Sequence, residues 1–305
     1  MKKILMCYGK TEFTPGRYLE DGFRSIGHEV DVIQTTIDFG VINQNDFLGV
    51  IFVESPSKTL VRVKNINLAR IPILFWIHHG ENRLKTNIYL SKMYNPDLIL
   101  LAHSLHLAKN FPAPVKFFPF AMSTDIFNCS QNFSERKIDI AFVGSKNPSF
   151  YKNRALALSR INKLFGRKYR LSLGKKIFLK ALRDEYCNSK IVINYSADRI
   201  KSLNMRIFEG IGCGSLVITD YVPGLENIFQ ENEHCVIFKN QQDLISKINY
   251  YLKNPSQAEL IAQKGKMHLL RHHTYEHRAM EVINIMSDLY FKKKNFIQPR
   301  NFCDC

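Results

Sequence analysis

The chain has 305 residues, of which 45% are hydrophobic and 23% charged, with a formal net charge of +16. That composition supports a buried core and excludes an intrinsically disordered chain, and the length suits one large or two medium domains. No apolar run approaches the ~18–20 residues that span a bilayer, which excludes an integral helical membrane protein.

In chain order, the opening Met1-Lys2-Lys3 precedes only Ile4 to Tyr8, too short for the apolar core of a secretory leader. A cytoplasmic protein is therefore expected. Lys3 to Cys7 reads as a buried strand, and Pro15 to Ile26 as a helix with Pro15 near its start and Gly27 past its end. Further strand-length apolar runs follow at Val30–Gln34, Leu48–Val53, Ile73–Ile77 and Leu98–Ala102. They are continuous rather than alternating, as expected of strands covered on both faces of a parallel sheet. Alternation of such strands with helices predicts a doubly wound α/β domain over residues 1–120.

A Pro-rich passage with Pro112, Pro114 and Pro119 leads into polar residues up to Lys137, and 121–137 reads as an interdomain linker. The pattern restarts over 138–275. Ile138–Val143 is a strand closed by Gly144-Ser145, and Phe150–Leu164 is helical. Ile191–Asn194, Leu216–Thr219 and Cys235–Phe238 are further strands, with a helix from about Asn204 to Gly212 or Gly214. Helices at Gln241–Leu252, Ser256–His272 and Thr274 to about Lys293 complete the chain, and the segment 276–305 is expected to pack back towards the first domain. Two such domains facing each other would make a cleft, and open α/β sheets bind ligands beyond the carboxyl ends of their strands.

Seven cysteines are scattered without CxxC spacing, so free thiols are expected rather than a disulfide framework or a zinc site; Cys303-Asp304-Cys305 reads as a frayed tail. The most informative segment is the helix carrying Arg206 and Glu209 with its glycine-rich exit into Leu216–Thr219. Three residues apart, the two share one helix face. A carboxylate there can accept from ribose hydroxyls, a guanidinium suits a diphosphate, and a helix start at Asn204 offers free N–H groups to phosphate. Asn194-Tyr195-Ser196 sits at a strand's carboxyl end, where Tyr195 can stack on a base or simply pack. His78, with His79 and Glu81 as alternatives, follows the buried run Ile73–Ile77, where a histidine can hydrogen-bond a substrate or shuttle a proton near neutral pH.

The stretch Asn204 to Asp220, with Tyr221-Val222-Pro223-Gly224-Leu225-Glu226 after it, resembles the donor-site region of group-1 glycosyltransferases, most closely the CgeB-like (spore maturation protein B-like) branch. The likeness extends over about residues 138–285, through Asp243–Leu252 and His273-Thr274-Tyr275-Glu276-His277-Arg278, and more loosely over the first half. It implies a GT-B fold: two Rossmann-like doubly wound domains facing a cleft, with C-terminal helices. It implies transfer of a sugar from a nucleoside-diphosphate sugar, UDP- or GDP-linked, to a hydroxyl acceptor, with no cofactor or metal required. The donor site it implies comprises Gly144, Ser145, Arg154, Tyr195, Asn204, Arg206 and Glu209, with Lys146 and Lys152 as rivals to Arg154. Gly16 matches a glycine that lets ligand approach after the first strand, and His78 and His79 match the catalytic position. One departure stands out: many retaining relatives carry a second glutamate eight residues before the one at Glu209, and Lys201 occupies that position here.

The basic charge reads as spread over both halves rather than gathered in one stripe. Nucleotide sugars, an anionic membrane surface and nucleic acid all fit it, and no obligate protein partner is evident. Three alternatives share the scaffold: a sugar-nucleotide 2-epimerase, a DNA-modifying glycosyltransferase, and a non-catalytic sugar-nucleotide-binding protein.

Overall fold

The structure is a computed structural model that describes residues 2–55, 58, 60–198 and 202–297. The chain divides into two compact units, Met1–Phe118 with Glu276–Cys305, and Pro119–Tyr275.

In the first unit the strands are β1 (Lys3–Cys7), β2 (Val30–Ile33), β3 (Thr36–Asp38), β4 (Phe47–Val53), β5 (Arg62–Lys64), β6 (Ile73–Ile77), β7 (Leu98–Leu101) and β8 (Val115–Phe117). The helices are α1 (Pro15–Ser25) and α2 (Leu84–Tyr94). Six strands form one parallel sheet in the order β2-β1-β4-β6-β7-β8, and β3 pairs with β5 beside it. Leu5, Val50, Phe52, Phe75 and Leu101 fill one core of this unit, with Phe52 stacked on Tyr94 at 4.0 Å between ring centroids. The continuous apolar runs of β4 and β6 follow from this burial on both faces.

The second unit contains α3 (Thr124–Phe127), β9 (Ile138–Val143), α4 (Lys152–Phe165), β10 (Leu171–Lys175), α5 (Leu179–Cys187), β11 (Ser189–Asn194), α6 (Met205–Gly212), β12 (Leu216–Asp220), β13 (Val236–Phe238), α7 (Gln241–Lys253) and α8 (Pro255–His272). Helix α9 (Tyr275–Ile297) follows, and from Glu276 onward it belongs to the first unit. The five strands are parallel in the order β10-β9-β11-β12-β13. Ile140, Phe142, Ile193 and Ile218 from the sheet pack against Leu158 and Ile161 of α4 and Leu244 of α7.

Both sheets reverse direction next to their first strand. The chain runs from β1 to β2 and returns to β4 on the opposite side of β1; it runs from β9 to β10 and returns to β11 on the opposite side of β9. At each reversal the loops leave in opposite directions, which opens a crevice at the strands' carboxyl ends. Tyr8 and Glu54 stand at the first, Gly144 and Asn194 at the second.

Residues 121–137, read from their polarity as a linker, pack within the second unit. Phe127, Cys129, Phe133 and Arg136 are all buried. Arg136 explains the order: its guanidinium donates to the carbonyls of Tyr186, Ser189, Cys213 and Gln131 at 2.8 to 3.4 Å, and to Ser215 Oγ at 3.2 Å. It joins the ends of α5 and α6 to the start of β9. Replacing Arg136 with Met takes the guanidinium donor from the carbonyls of Cys213 and Gln131, while those of Tyr186 and Ser189 keep the Ser215 hydroxyl, so a loss of about 2–4 kcal/mol is expected. A urea unfolding curve followed by circular dichroism reads this; an unchanged midpoint refutes the pinning role.

Candidate functional site

In the second unit the site grows from the carboxyl end of β9. Gly144 has φ +138, a backbone conformation that disfavours a side chain, and a Cβ there would lie 3.3 Å from Arg206 Nη1. The chain can therefore turn out of the sheet directly beneath that guanidinium. The carbonyl of Ser145 accepts a hydrogen bond from Arg154 Nη1 at 3.0 Å. Arg154 is carried inward by the buried face of α4, with its guanidinium 4.0 Å from the Tyr151 ring centroid and 5.4 Å from that of Phe142. Arg206, in the first turn of α6, lies 5.8 Å from the same Phe142 ring. Its Nε donates to Asn194 Oδ1 at 3.1 Å and its Nη2 to the Tyr195 carbonyl at 3.4 Å, both at the end of β11.

Two guanidiniums thus share one phenyl ring at the switch point of the sheet. Each is held by neutral oxygens, and neither forms an ion pair among the described residues. Burial, reinforced by the charge of Arg206, brings Arg154 down to about 10. The carboxylates of Asp220 and Asp198 act on it electrostatically from further off. Asp220 is engaged locally, by the backbone N–H of Ser196 at 2.9 Å and by the Ser196 hydroxyl. Concentrated positive charge in a partly desolvated crevice is suited to a diphosphate.

Glu209 lies one turn beyond Arg206 on α6, 5% exposed. It makes no hydrogen bond or ion pair among the described residues. Burial pushes its carboxyl up to about 7 against the opposing pull of Arg206. Asn204 is the N-cap of α6, yet its side chain caps nothing and its Oδ1 is buried without a partner. The first N–H groups of α6 consequently lack a side-chain acceptor.

The structure changes several sequence-based expectations. The Tyr195 ring packs into the core 5.1 Å from Phe238, so its contribution at the site is its backbone carbonyl rather than a stacking face. Gly16 lies in the first turn of α1. A Cβ there would come 2.8 Å from Tyr8 and 3.2 Å from Val53, so the glycine serves packing of the chain on itself. Lys146 and Lys152 are exposed and stand outside the cluster that Arg154 joins. Lys201, Cys303 and Cys305 lie outside the described residues.

The first unit carries a separate polar cluster at its own strand ends. Glu54, directly after β4, accepts from the backbone N–H of His78 at 2.7 Å and of His79 at 2.8 Å. It pairs with His79 Nδ1 at 3.2 Å and Arg83 Nε at 3.1 Å. Burial opposes its charge, but these partners prevail and hold it at about 2. His78 is buried edge-on against Trp76, and burial lowers it to about 3 despite the nearby Glu54. It is therefore a neutral imidazole at physiological pH, fit to hydrogen-bond but not to cycle as a neutral-pH acid. His79 is more exposed, at 38% of its side chain. His103 Nε2 donates to the His78 carbonyl at 2.6 Å. Sequence reading missed Glu54, although the signal used for His78, a polar residue closing a buried run, applies equally to it. Among the described residues no group of three or more His, Cys, Asp or Glu is suited to hold a metal ion.

Residues 133–284 match the family model described as glycosyl transferase-like. These residues therefore form a glycosyl transferase-like domain, and the chain has the GT-B fold. Sucrose-phosphate synthase from Thermosynechococcus elongatus is 11% identical with a TM-score of 0.62, the match covering 96% of this chain and 100% of that one. Anabaena HepE, in complex with UDP and glucose, is 11% identical with a TM-score of 0.63 over 94% of this chain and 100% of that one. An alpha-glucosyltransferase in complex with UDP and a DNA 13-mer is 12% identical with a TM-score of 0.66 over 94% and 99%. No curated protein matches the sequence.

The state of Glu209 has a thermodynamic consequence. Its carboxyl ionises at about 4.5 when free and about 7 when folded. Folding therefore carries a penalty that is absent below the lower value and complete above the upper one. The interval corresponds to about 3 kcal/mol. Glu209→Gln should accordingly be more stable than the parent at pH 8, with the difference vanishing towards pH 4.5. Thermal melts at the two pH values measure this, and equal stability at pH 8 contradicts it.

Proposed function

We propose that this chain is a glycosyltransferase that takes its sugar from a nucleoside-diphosphate sugar bound in the second unit, at the reversal between β9 and β11, and passes it to a hydroxyl acceptor. The observation that carries the proposal is the Arg154–Arg206 pair on Phe142, with Glu209 one turn away. In this reading Arg154 and Arg206 hold the diphosphate, assisted by the free N–H groups at the start of α6 and the backbone of Gly144 and Ser145. Asn204 lines the approach to those N–H groups. Glu209, ionised, accepts from the ribose hydroxyls. The same guanidiniums stabilise the charge that develops on the leaving diphosphate, an electrostatic contribution made by groups already oriented before the reaction. Because they supply that charge, the reaction is read as one that needs no metal.

UDP is the expected nucleotide, since it is the one named in the HepE and alpha-glucosyltransferase structures. In the first unit, His78 and His79 are the proposed catalytic groups, with Glu54 fixing the loop that bears them. His78 acts as a neutral hydrogen-bonding group, and His79 is the more accessible proton carrier. The arginine, the Phe208-Glu209 pair and the Pro223-Gly224-Leu225 turn support placement in the CgeB-like branch. A cytoplasmic location agrees with the free, buried thiols of Cys7, Cys129, Cys187, Cys213 and Cys235.

A thermal-shift titration against UDP and GDP tests the assignment, because a ligand that binds only the folded state raises the melting temperature, by more the tighter it binds. UDP is expected to stabilise the parent. Arg154→Gln and Glu209→Ala each remove a charged hydrogen-bonding partner, expected to cost about 2–3 kcal/mol, or roughly thirty- to a hundredfold in affinity. Parent-like UDP affinity in both variants would remove the pair from the site.

A further inference from the structure

The +16 charge is not spread along the chain. Residues 140–183 hold twelve Lys and Arg and no Asp or Glu, leaving 31 basic and 27 acidic residues for everything else. Three quarters of the excess therefore sits in a 44-residue stretch comprising α4, the edge strand β10 and most of α5. This corrects the sequence-based expectation of dispersed charge.

The structure shows how the stretch is presented. Helix α4 buries Arg154, Ala157, Leu158, Ile161 and Phe165 on one side. Its opposite side exposes Lys152, Arg160 and Lys163, and the turn that follows exposes Arg167, Lys168 and Arg170. None of these six forms an ion pair among the described residues. At about 100° per residue, Leu156 falls between Lys163 and Arg160 in the middle of this face. It is 53% exposed, Leu164 on the flank is 52% exposed, and Phe150, just ahead of the helix, is 71% exposed.

We propose that this face of α4 docks the protein on an anionic lipid surface. Aliphatic side chains ringed by cations are what an interfacial helix presents: the cations meet the headgroups while the leucines enter the acyl boundary. A nucleic acid rewards the cations and aromatic faces, but gives no return for leucines among them. The attachment is peripheral; among the described residues no helix is long and apolar enough to cross a membrane. Because α4 also carries Arg154 on its inner side, docking would set the candidate anion site next to the membrane face of this unit.

Sedimentation with phosphatidylglycerol–phosphatidylcholine vesicles, compared with phosphatidylcholine alone, tests the proposal. The full chain should pellet with the first and stay in solution with the second. The triple variant Lys152→Gln, Arg160→Gln, Lys163→Gln should lose roughly a hundredfold in partitioning, about fivefold per cation. Leu156→Gln should lose about tenfold, and the loss should persist at high salt, where the electrostatic part is screened. All four side chains are exposed, so melting temperatures should match the parent, and circular dichroism checks that they do. No pelleting with anionic vesicles overturns the proposal. So does unchanged partitioning of Leu156→Gln together with salt-sensitive binding to a DNA duplex that the triple variant loses; that result would assign the face to nucleic acid.

Discussion

The second unit is organised around an electrostatic demand: two guanidiniums rest on one phenyl ring with only neutral oxygens to hold them. Like charges in a partly dry crevice repel and are poorly solvated, so the arrangement persists only because the surrounding fold supports it. Phe142, wholly buried at the end of β9, supplies the ring. The carbonyls of Ser145 and Tyr195 and the amide of Asn194 fix each guanidinium in direction without cancelling its charge. Gly144 lets the chain pass close beneath Arg206. The reversal of strand order between β9 and β11 makes the space in which an anion can meet both.

Much of this was legible in the sequence, for identifiable reasons. Central strands such as β4 and β6 are covered on both faces and so appear as continuous apolar runs with nearly correct ends. Helix α6 could be placed because Arg206 and Glu209 precede a glycine-rich stop. Two edge strands, β8 and β10, were not visible. β10 reads Leu-Ser-Leu-Gly-Lys and is mostly half-exposed, and β8 is three residues long behind Pro114, so neither carries an apolar run. The stretch reads as a linker because Arg136 looks like a surface residue among polar neighbours, whereas its burial depends on acceptors that come from up to 79 positions away in the chain. Tyr195 was ambiguous for a related reason: a strand-end tyrosine can face ligand or core, and only Phe238 decides it.

Arg136 and Glu209 illustrate two uses of a buried charge. Both are almost inaccessible, at 3% and 5% exposure. Arg136 is surrounded by acceptors and stabilises the junction of α5, α6 and β9. Glu209 has no hydrogen-bond donor from the described protein, so its ionisation is opposed by the fold itself. A residue that costs stability in the free protein is intelligible where its partner arrives from outside. The Glu54 cluster of the first unit is the opposite case, a carboxylate so well supplied by backbone N–H groups and the Arg83 guanidinium that it stays ionised.

If Glu209 receives the donor as proposed, a carboxyl close to half protonated near neutrality also couples nucleotide capture to acidity. If ribose hydroxyls select the ionised form of Glu209, each docking event expels about half a proton into the medium at neutral pH. The heat of association would then depend on the ionisation enthalpy of the buffer, and mild acidification would slacken the grip on donor without any change in shape. The enzyme would sense the acid balance of its surroundings through the same oxygen atoms that recognise its substrate.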